Sequence, residues 1–331
     1  MRKAIVTGGG GFVGLSLVRR LVAQGVEVAV VGRNHYPVLD ELGVISFQGD
    51  IRDLEFLTNA FHGYDTVFHV AAKAGIWGRW SDYYSINVTG TENVIAACLE
   101  NSIDTLVYTS TPSVVFSNVD LCGVNELTRY ATSFLCHYAH TKVIAEKIIL
   151  AANGDNLRTV ALRPHLVWGP GDPNLIPRLI DRGRKGLLKK VGDGRNLVDI
   201  SYVDNVAQAH VLAARNLKSS GTAAGKPYFI SQGEPVNLWN WINKFFRRID
   251  VPSVEKSISF RQAYLAGWTM EMTHKLLGRQ DEPLMTRFLA EQLAKSHWFS
   301  MDNALKDFNY IPEVSTLEGM NRMVEWFKQK K

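Results

Sequence analysis

Cysteine is scarce in this chain. Cys98, Cys122 and Cys136 are the only three in 331 residues, and none forms a CxxC pair. That spacing supplies neither a disulfide framework nor a metal-ligand set, so no metal is expected and a reducing cytosol fits. Long apolar runs are also missing. No 18 consecutive apolar residues occur, so no membrane-spanning helix is expected. The opening "MRKAIVTGG" enters a strand directly, with no signal-peptide pattern, and a cytoplasmic location is expected. Charge of one sign is not concentrated either: 37 Lys and Arg against 32 Asp and Glu leave a formal net charge of +5. The basic residues are scattered, apart from short runs such as "RGRKGLLKK" at 182–190 and the terminal "KQKK". Nucleic-acid binders cluster their charge, so no nucleic-acid partner is expected, whereas an anionic small molecule suits the excess. No internal repeat or low-complexity segment is present.

What is present is an alternation. Apolar, β-branched runs at 3–7, 26–31, 44–48, 66–70, 105–109 and 159–162 read as strands buried on both faces. Between them, 12–24, 54–61, 88–101 and 138–152 carry helical apolar spacing, and Gly25 is a stop signal for the first helix. Strand and helix alternating in this way predict an α/β fold with a doubly wound parallel sheet. After Pro164 the order loosens through the turn-rich "WGPGDPNLIP". Helices are predicted over 205–215, 238–248, 260–277 and 283–295, with a strand at 228–231. The expected division is a dinucleotide-binding domain at 1–164 and a smaller, mostly helical substrate lobe at 165–331, interleaved with returns to the sheet.

The first strand ends in "TGGGGFVG". Gly8 suits a tight turn, Gly11 leaves the backbone open to a pyrophosphate, and Gly14 allows close helix–sheet packing. The helix N-terminus behind them favours an anion. With Phe12 and Val13 this loop is a candidate dinucleotide site. A site for NAD usually carries an acidic residue at the end of the second strand; here Gly32 and Arg33 stand there. Arginine pairs with a 2′-phosphate that an acid would repel, so NADP(H) is expected.

"HYAHTK" at 137–142 places Tyr138 and Lys142 one helical turn apart. An ammonium beside a phenol lowers the phenol's pKa. Ser110 and Thr111 follow the strand ending "YTST" and can hold a substrate oxygen. A proton donor, its cationic neighbour and an orienting hydroxyl are the parts needed for carbonyl reduction with a dinucleotide.

In the order "TGGGGFVG" (7–14), "GDIRD" (49–53), "HVAAKAG" (69–75), "YTST" (108–111), "YAHTK" (138–142) and "LRPHLVWGPGD" (162–172), the chain resembles the extended short-chain dehydrogenase/reductase family over nearly its whole length. The resemblance implies that Tyr138 is the catalytic acid/base, Lys142 its partner and Thr111, with Ser110 beside it, the third catalytic position. It implies that Asp50 and Ile51 flank the adenine, that Ala71, Ala72 and Lys73 line the ribose and pyrophosphate path, and that Pro164, Leu166 and Val167 pass the nicotinamide. Within the family the likeness is to the 3β-hydroxysteroid dehydrogenase branch, carried by "HYPVLDELGV", "AAKAGIWG", "YTSTPSVVF", "WGPGDPNLIPRL" and "VGDGRNLVDISYVDN". It runs to bacterial members that reduce 2-alkyl-3-oxoalkanoic acids in long-chain olefin biosynthesis. The implied activity is NADPH-dependent reduction of such an acid to its 3-hydroxy acid. An NAD-dependent 3β-hydroxysteroid dehydrogenase is the alternative, and a dinucleotide sensor without turnover is the alternative of another class. A lipid-like substrate, a homodimer and peripheral contact with a membrane or pathway enzyme are the expected partners.

Other residues carry two readings. His137 and His140 could meet a carboxylate or sit satisfied on a helix surface. Trp77, Trp80 and Trp168 could wall an acyl channel or belong to an aromatic core. The segment 260–277 could be a lid or interfacial helix, or pack on the lobe. Lys73, Arg79, Arg178 and Arg195 are candidate cations for a substrate carboxylate.

Overall fold

The computed structural model describes residues 1–329; the last two lysines of the terminal "KQKK" lie outside that range. Seven parallel strands form the main sheet: β1 (Lys3–Thr7), β2 (Glu27–Gly32), β3 (Ile45–Gln48), β4 (Thr66–His69), β5 (Thr105–Thr109), β6 (Arg158–Pro164) and β7 (Lys226–Ile230). Their order is β3-β2-β1-β4-β5-β6-β7, and every neighbouring pair is parallel. The order reverses between β1 and β4, which opens a crevice at the carboxyl ends of those strands. The main helices are α1 (Phe12–Ala23), α2 (Leu54–Ala60), α3 (Gly90–Glu100), α4 (His137–Ala151), α5 (Leu175–Arg184), α6 (Val203–Leu217), α7 (Leu238–Arg248), α8 (Phe260–Leu276), α9 (Arg287–Ala294) and α10 (Thr316–Gln329), with other short ones at Pro37–Glu41, Trp80–Tyr84 and Asp302–Phe308. Leu17 and Leu21 of α1 pack with Ala207 and Val211 of α6 against one face of the sheet. Leu57, Val94, Cys98, Ala145 and Ile149 cover the other. Ala4, Ile5 and Val6 are wholly buried, which is why β1 has no alternation of polar and apolar residues.

The lobe has its own core. Trp168, Ile176, Trp239, Trp241, Phe245 and Met323 meet there. A second sheet joins Val236–Asn237, Leu197–Val198, His297–Phe299 and Leu121–Val124. The chain therefore passes between the two parts in both directions. β7 returns to the main sheet, as the interleaving predicts. Residues 121–124 leave the first half to pair with 297–299, a connection absent from the sequence reading. Helices α5 and α10 were not predicted. α5 follows the turn-rich loop and carries Pro177 in its first turn, where proline lacks no needed hydrogen bond. The helix expected over 88–101 is present as α3, which starts at Gly90 because a π turn at Ser85–Thr89 precedes it, itself following a short helix at Trp80–Tyr84. Among the described residues no helix is long and apolar enough to cross a membrane. No cluster of His, Cys, Asp or Glu there could hold a metal ion.

The glycine loop is fixed by contact as well as conformation. Gly8 has φ +72°, and a Cβ there would lie 2.9 Å from the Ala71 backbone. A Cβ on Gly14 would fall 2.2 Å from the Gly8 carbonyl oxygen. Gly14→Ala should therefore destabilise the protein by about 1–3 kcal/mol, the usual cost of overpacking. Urea unfolding measures this; an unchanged midpoint would show that α1 can shift away without cost.

Candidate active site

A cleft of about 480 Å³ lies at the carboxyl ends of β1, β4 and β5. The predicted loop residues Gly8, Gly11, Phe12, Val13 and Gly14 line it. Arg33, Asp50 and Ile51 line one end, Ala71, Ala72 and Lys73 the middle, and Pro164 and Val167 the other end. Leu166 does not reach it. Its backbone has φ +39°, and its side chain packs on the lobe core, so of the nicotinamide-side positions only its neighbours face the cleft. Tyr36 was missed; its ring covers Gly10, where a Cβ would approach within 2.2 Å.

The protein leaves the N-terminus of α1 open to an anion. Gly11 at the N-cap offers no side-chain acceptor, and the first turn carries no acidic residue. No side chain caps the first-turn amide donors, and Gly11, Phe12, Val13 and Gly14 at this end line the cleft. This fits the pyrophosphate of a dinucleotide. At the end of β2, the Arg33 side chain has no ion pair among the described residues. Asp50 is held ionised by Arg52, at 2.9 and 2.7 Å, with a smaller contribution from Arg33.

The middle of the cleft has an anchor in Asn87, which "SINVTG" suggests only as a structural residue open to a water or backbone contact. Asn87, in the π turn, accepts from the Lys73 amide at 2.7 Å and donates to the Lys73 carbonyl at 3.1 Å and to Thr141 Oγ1 at 3.1 Å. One amide thus ties the 71–73 segment to the helix carrying Tyr138. A π turn supplies the extra residue that this aim requires.

The catalytic candidates converge. Thr111 lies close enough to the Tyr138 phenol to favour its ionised form, while its Oγ1 donates to Ser113 Oγ at 3.1 Å and accepts from the Ser113 amide at 3.2 Å. Ser110 faces the other way and donates a short bond to Glu146. The two hydroxyls therefore have separate partners, and Thr111 is the one next to the phenol. Lys142 is buried, and its Nζ donates to Tyr108 Oη at 2.6 Å and to the Thr109 carbonyl at 2.7 Å. The expectation that Lys142 lowers the phenol pKa is not met in this arrangement. Burial pushes Tyr138 up to about 12, only partly offset by the neighbouring Thr111 hydroxyl. The lysine's amine is drawn to Tyr108 and Thr109, and burial brings it down to about 7 despite the opposing field of Glu146.

Behind these residues lies a buried charge network. Arg163 Nη2 is 2.5 Å from Glu146 Oε1, and both side chains are essentially inaccessible. Tyr130 Oη donates to the same carboxylate at 2.7 Å. Glu146 stands one turn beyond Lys142 on α4, a position that reads in sequence as an ordinary solvated glutamate.

A second cavity, of about 540 Å³, adjoins the N-terminus of α4. Trp77 and Phe134 line it, with His137 and His140 at its edge. His140 stacks on Phe134 at 4.3 Å and leans on Trp80 at 4.8 Å. Burial lowers the pKa of both histidines, so they are poorly suited to hold a carboxylate as cations. Trp168 belongs to the lobe core, against Tyr202 and Trp241.

Comparison with known proteins gives the family. Residues 5–261 match the 3-beta hydroxysteroid dehydrogenase/isomerase family. A 2-alkyl-3-oxoalkanoate reductase of Stenotrophomonas maltophilia is 49% identical, over 97% of this chain and 98% of its own. A mouse protein named sterol-4-alpha-carboxylate 3-dehydrogenase, decarboxylating, is 33% identical, over 98% of this chain and 91% of its own. Among solved structures, gox2253 superposes with a TM-score of 0.81 at 25% identity, covering 100% of this chain and 99% of that one.

Truncating Glu146 would leave the Arg163 guanidinium buried without its counter-ion. Glu146→Ala should cost about 3–5 kcal/mol in chemical denaturation, as expected for breaking a buried pair from one side. A loss below about 1 kcal/mol, the scale of an exposed pair, would show that water or a new partner takes over.

Proposed function

The chain belongs to the 3-beta hydroxysteroid dehydrogenase/isomerase family and is an oxidoreductase acting between CH–OH and C=O with a nicotinamide dinucleotide; from this we propose that it reduces the 3-keto group of a 2-alkyl-3-oxoalkanoic acid to the 3-hydroxy acid with NADPH, within long-chain olefin formation. The observation that carries this reading is that Tyr138, Thr111 and Lys142 together line the dinucleotide cleft, with a partly apolar cavity at the N-terminal end of the helix that carries Tyr138. The names of two relatives agree with it. One describes a keto acid whose carboxylate carbon is attached next to the carbonyl carbon, the other a carboxylate on carbon 4 beside a reacting carbon 3.

Bound NADPH supplies the hydride. Tyr138 keeps its proton up to about pH 12, so it can donate to the oxygen that becomes an alkoxide. Thr111 shares the oxygen and fixes its approach to the phenol. Lys142 lies one turn away and can turn from Tyr108 and Thr109 to the hydroxyls of the nicotinamide ribose. Arg33, without an ion pair among the described residues, is the residue that would meet a 2′-phosphate.

Assaying NADPH oxidation with a 2-alkyl-3-oxo acid beside NAD⁺ reduction with a 3β-hydroxysteroid tests the substrate; faster steroid turnover would overturn it. Tyr138→Phe should retain NADPH binding and lose at least about 10²-fold in kcat, the scale of a positioned acid. Near-normal turnover would remove Tyr138 from the mechanism. Arg33→Ala should raise the KM for NADPH about ten- to a hundredfold and leave that for NADH little changed. Equal effects on both cofactors would count against NADP. The pH profile has a defined sign. Lys142 holds its proton below about 7 and loses it above, while Tyr138 remains protonated. Reductive kcat/KM should therefore fall as pH rises through about 7. Lys142→Met should abolish that limb; its persistence would assign the limb to another group.

A further inference from the structure

The cavity beside α4 is lined by four Arg or Lys side chains, Arg79, Lys275, Arg279 and Arg287, and by one carboxylate, Glu271. Two of the cations are already engaged. Arg287 pairs with Glu271 at 2.8 Å, and Arg279 with Asp281 at 2.7 Å. Arg79 and Lys275 have no ion pair or side-chain hydrogen bond among the described residues. They come from different parts of the chain: Arg79 precedes the short helix Trp80–Tyr84, and Lys275 stands in the last turn of α8. Lys275 is near enough to His137 for its charge to add to burial in lowering the pKa of that histidine. His137 in turn precedes Tyr138. The remaining walls combine the apolar side chains of Ile76, Trp77, Phe134 and Leu135 with the rings of His137, His140 and His274 and the Gln280 amide. The other cations named from sequence are removed by geometry. Lys73 is 3.2 Å from Asp82, Arg178 is 2.8 Å from Glu282, and Arg195 does not line the cavity.

We propose that Arg79 and Lys275 together bind the substrate's carboxylate, with the alkyl branch beside it lying on Ile76, Trp77, Phe134 and Leu135. The assignment rests on the reading of the substrate as a 3-oxo acid. It explains why a β-keto acid would be taken rather than a simple ketone. The carboxylate is attached to the carbon next to the carbonyl, so its cations must stand near the proton donor, and the cavity begins one residue from Tyr138. Two cations on separate segments can grip both carboxylate oxygens, whereas a single exposed one would be weakened by water.

The test uses a ligand that cannot react. 2-Hexyldecanoic acid and its methyl ester are titrated calorimetrically into the full-length protein with NADP⁺ present. The acid should bind more tightly than the ester. Arg79→Gln and Lys275→Gln should each weaken the acid about tenfold, the scale of a charge-assisted hydrogen bond, and leave the ester and NADP⁺ unchanged. Arg79→Lys should recover part of the loss. A wild type that does not prefer the acid, or variants that lose acid and ester equally, would overturn the assignment. This outcome is separate from turnover. Carboxylate binding through Arg79 and Lys275 without reduction of 3-oxo acids would defeat the proposed function and leave the site standing. Reduction with unaltered acid affinity in the variants would do the reverse.

Discussion

The pair between Glu146 and Arg163 holds the active side of the molecule together. Arg163 sits near the end of β6, Glu146 on α4, Ser110 just beyond β5, and Tyr130 on the segment that crosses to the lobe. One carboxylate therefore gathers four parts of the chain. In a low-dielectric interior each partner depends on the others, since removing one leaves a charge or dipole unsatisfied. The positions of Thr111, next to Ser110, and of Lys142, one turn before Glu146, follow from that junction. The field of Glu146 also opposes the burial that would otherwise strip Lys142 of its proton still more readily.

Features read correctly from sequence are those whose cause is local. The glycine loop declares itself because Gly8 and Gly14 meet obstacles only a few residues away or just across β4. Tyr138 and Lys142 are one turn apart on any helix. Strand and helix alternation sets the sheet class, and the switch point follows from strand order. What escaped depends on distances across the fold. Nothing in "SINVTG" says that Asn87 will grip the backbone of Lys73, fourteen positions away. The pKa of Tyr138 was misjudged in sign because helical spacing suggests the lysine and says nothing of burial or of the competing pull from Tyr108. Leu166 was placed beside the nicotinamide by family resemblance; the left-handed backbone at that residue goes with a side chain packed on the lobe core.

The helix α8 shows how apolar spacing can mislead about direction. Its buried residues are Ala263, Gly267 and Glu271, whereas Leu265 is 61% and Trp268 45% exposed. Gly267 lies against the Thr286–Arg287 backbone so closely that a Cβ would be 2.5 Å away. Close backbone approach selects small residues for the inner face, and Glu271 is tolerated there because Arg287 meets it. Phe260 and Tyr264 pack on the lobe core, so the expected apolar stripe is divided between two surfaces.

The two crossings between sheet and lobe have a consequence for how such a protein can change over time. Residues 121–124 are committed to the lobe while β7, from the second half, closes the main sheet. No single cut in the chain separates the two parts, so the lobe cannot be exchanged as a cassette in one recombination event. Each half also depends on the other for a strand, and opening either exposes unpaired backbone in both. New substrates must then be reached by substitution around the cavity, at the 74–80 loop of the first half and the end of α8 in the lobe, with the sheet left in place.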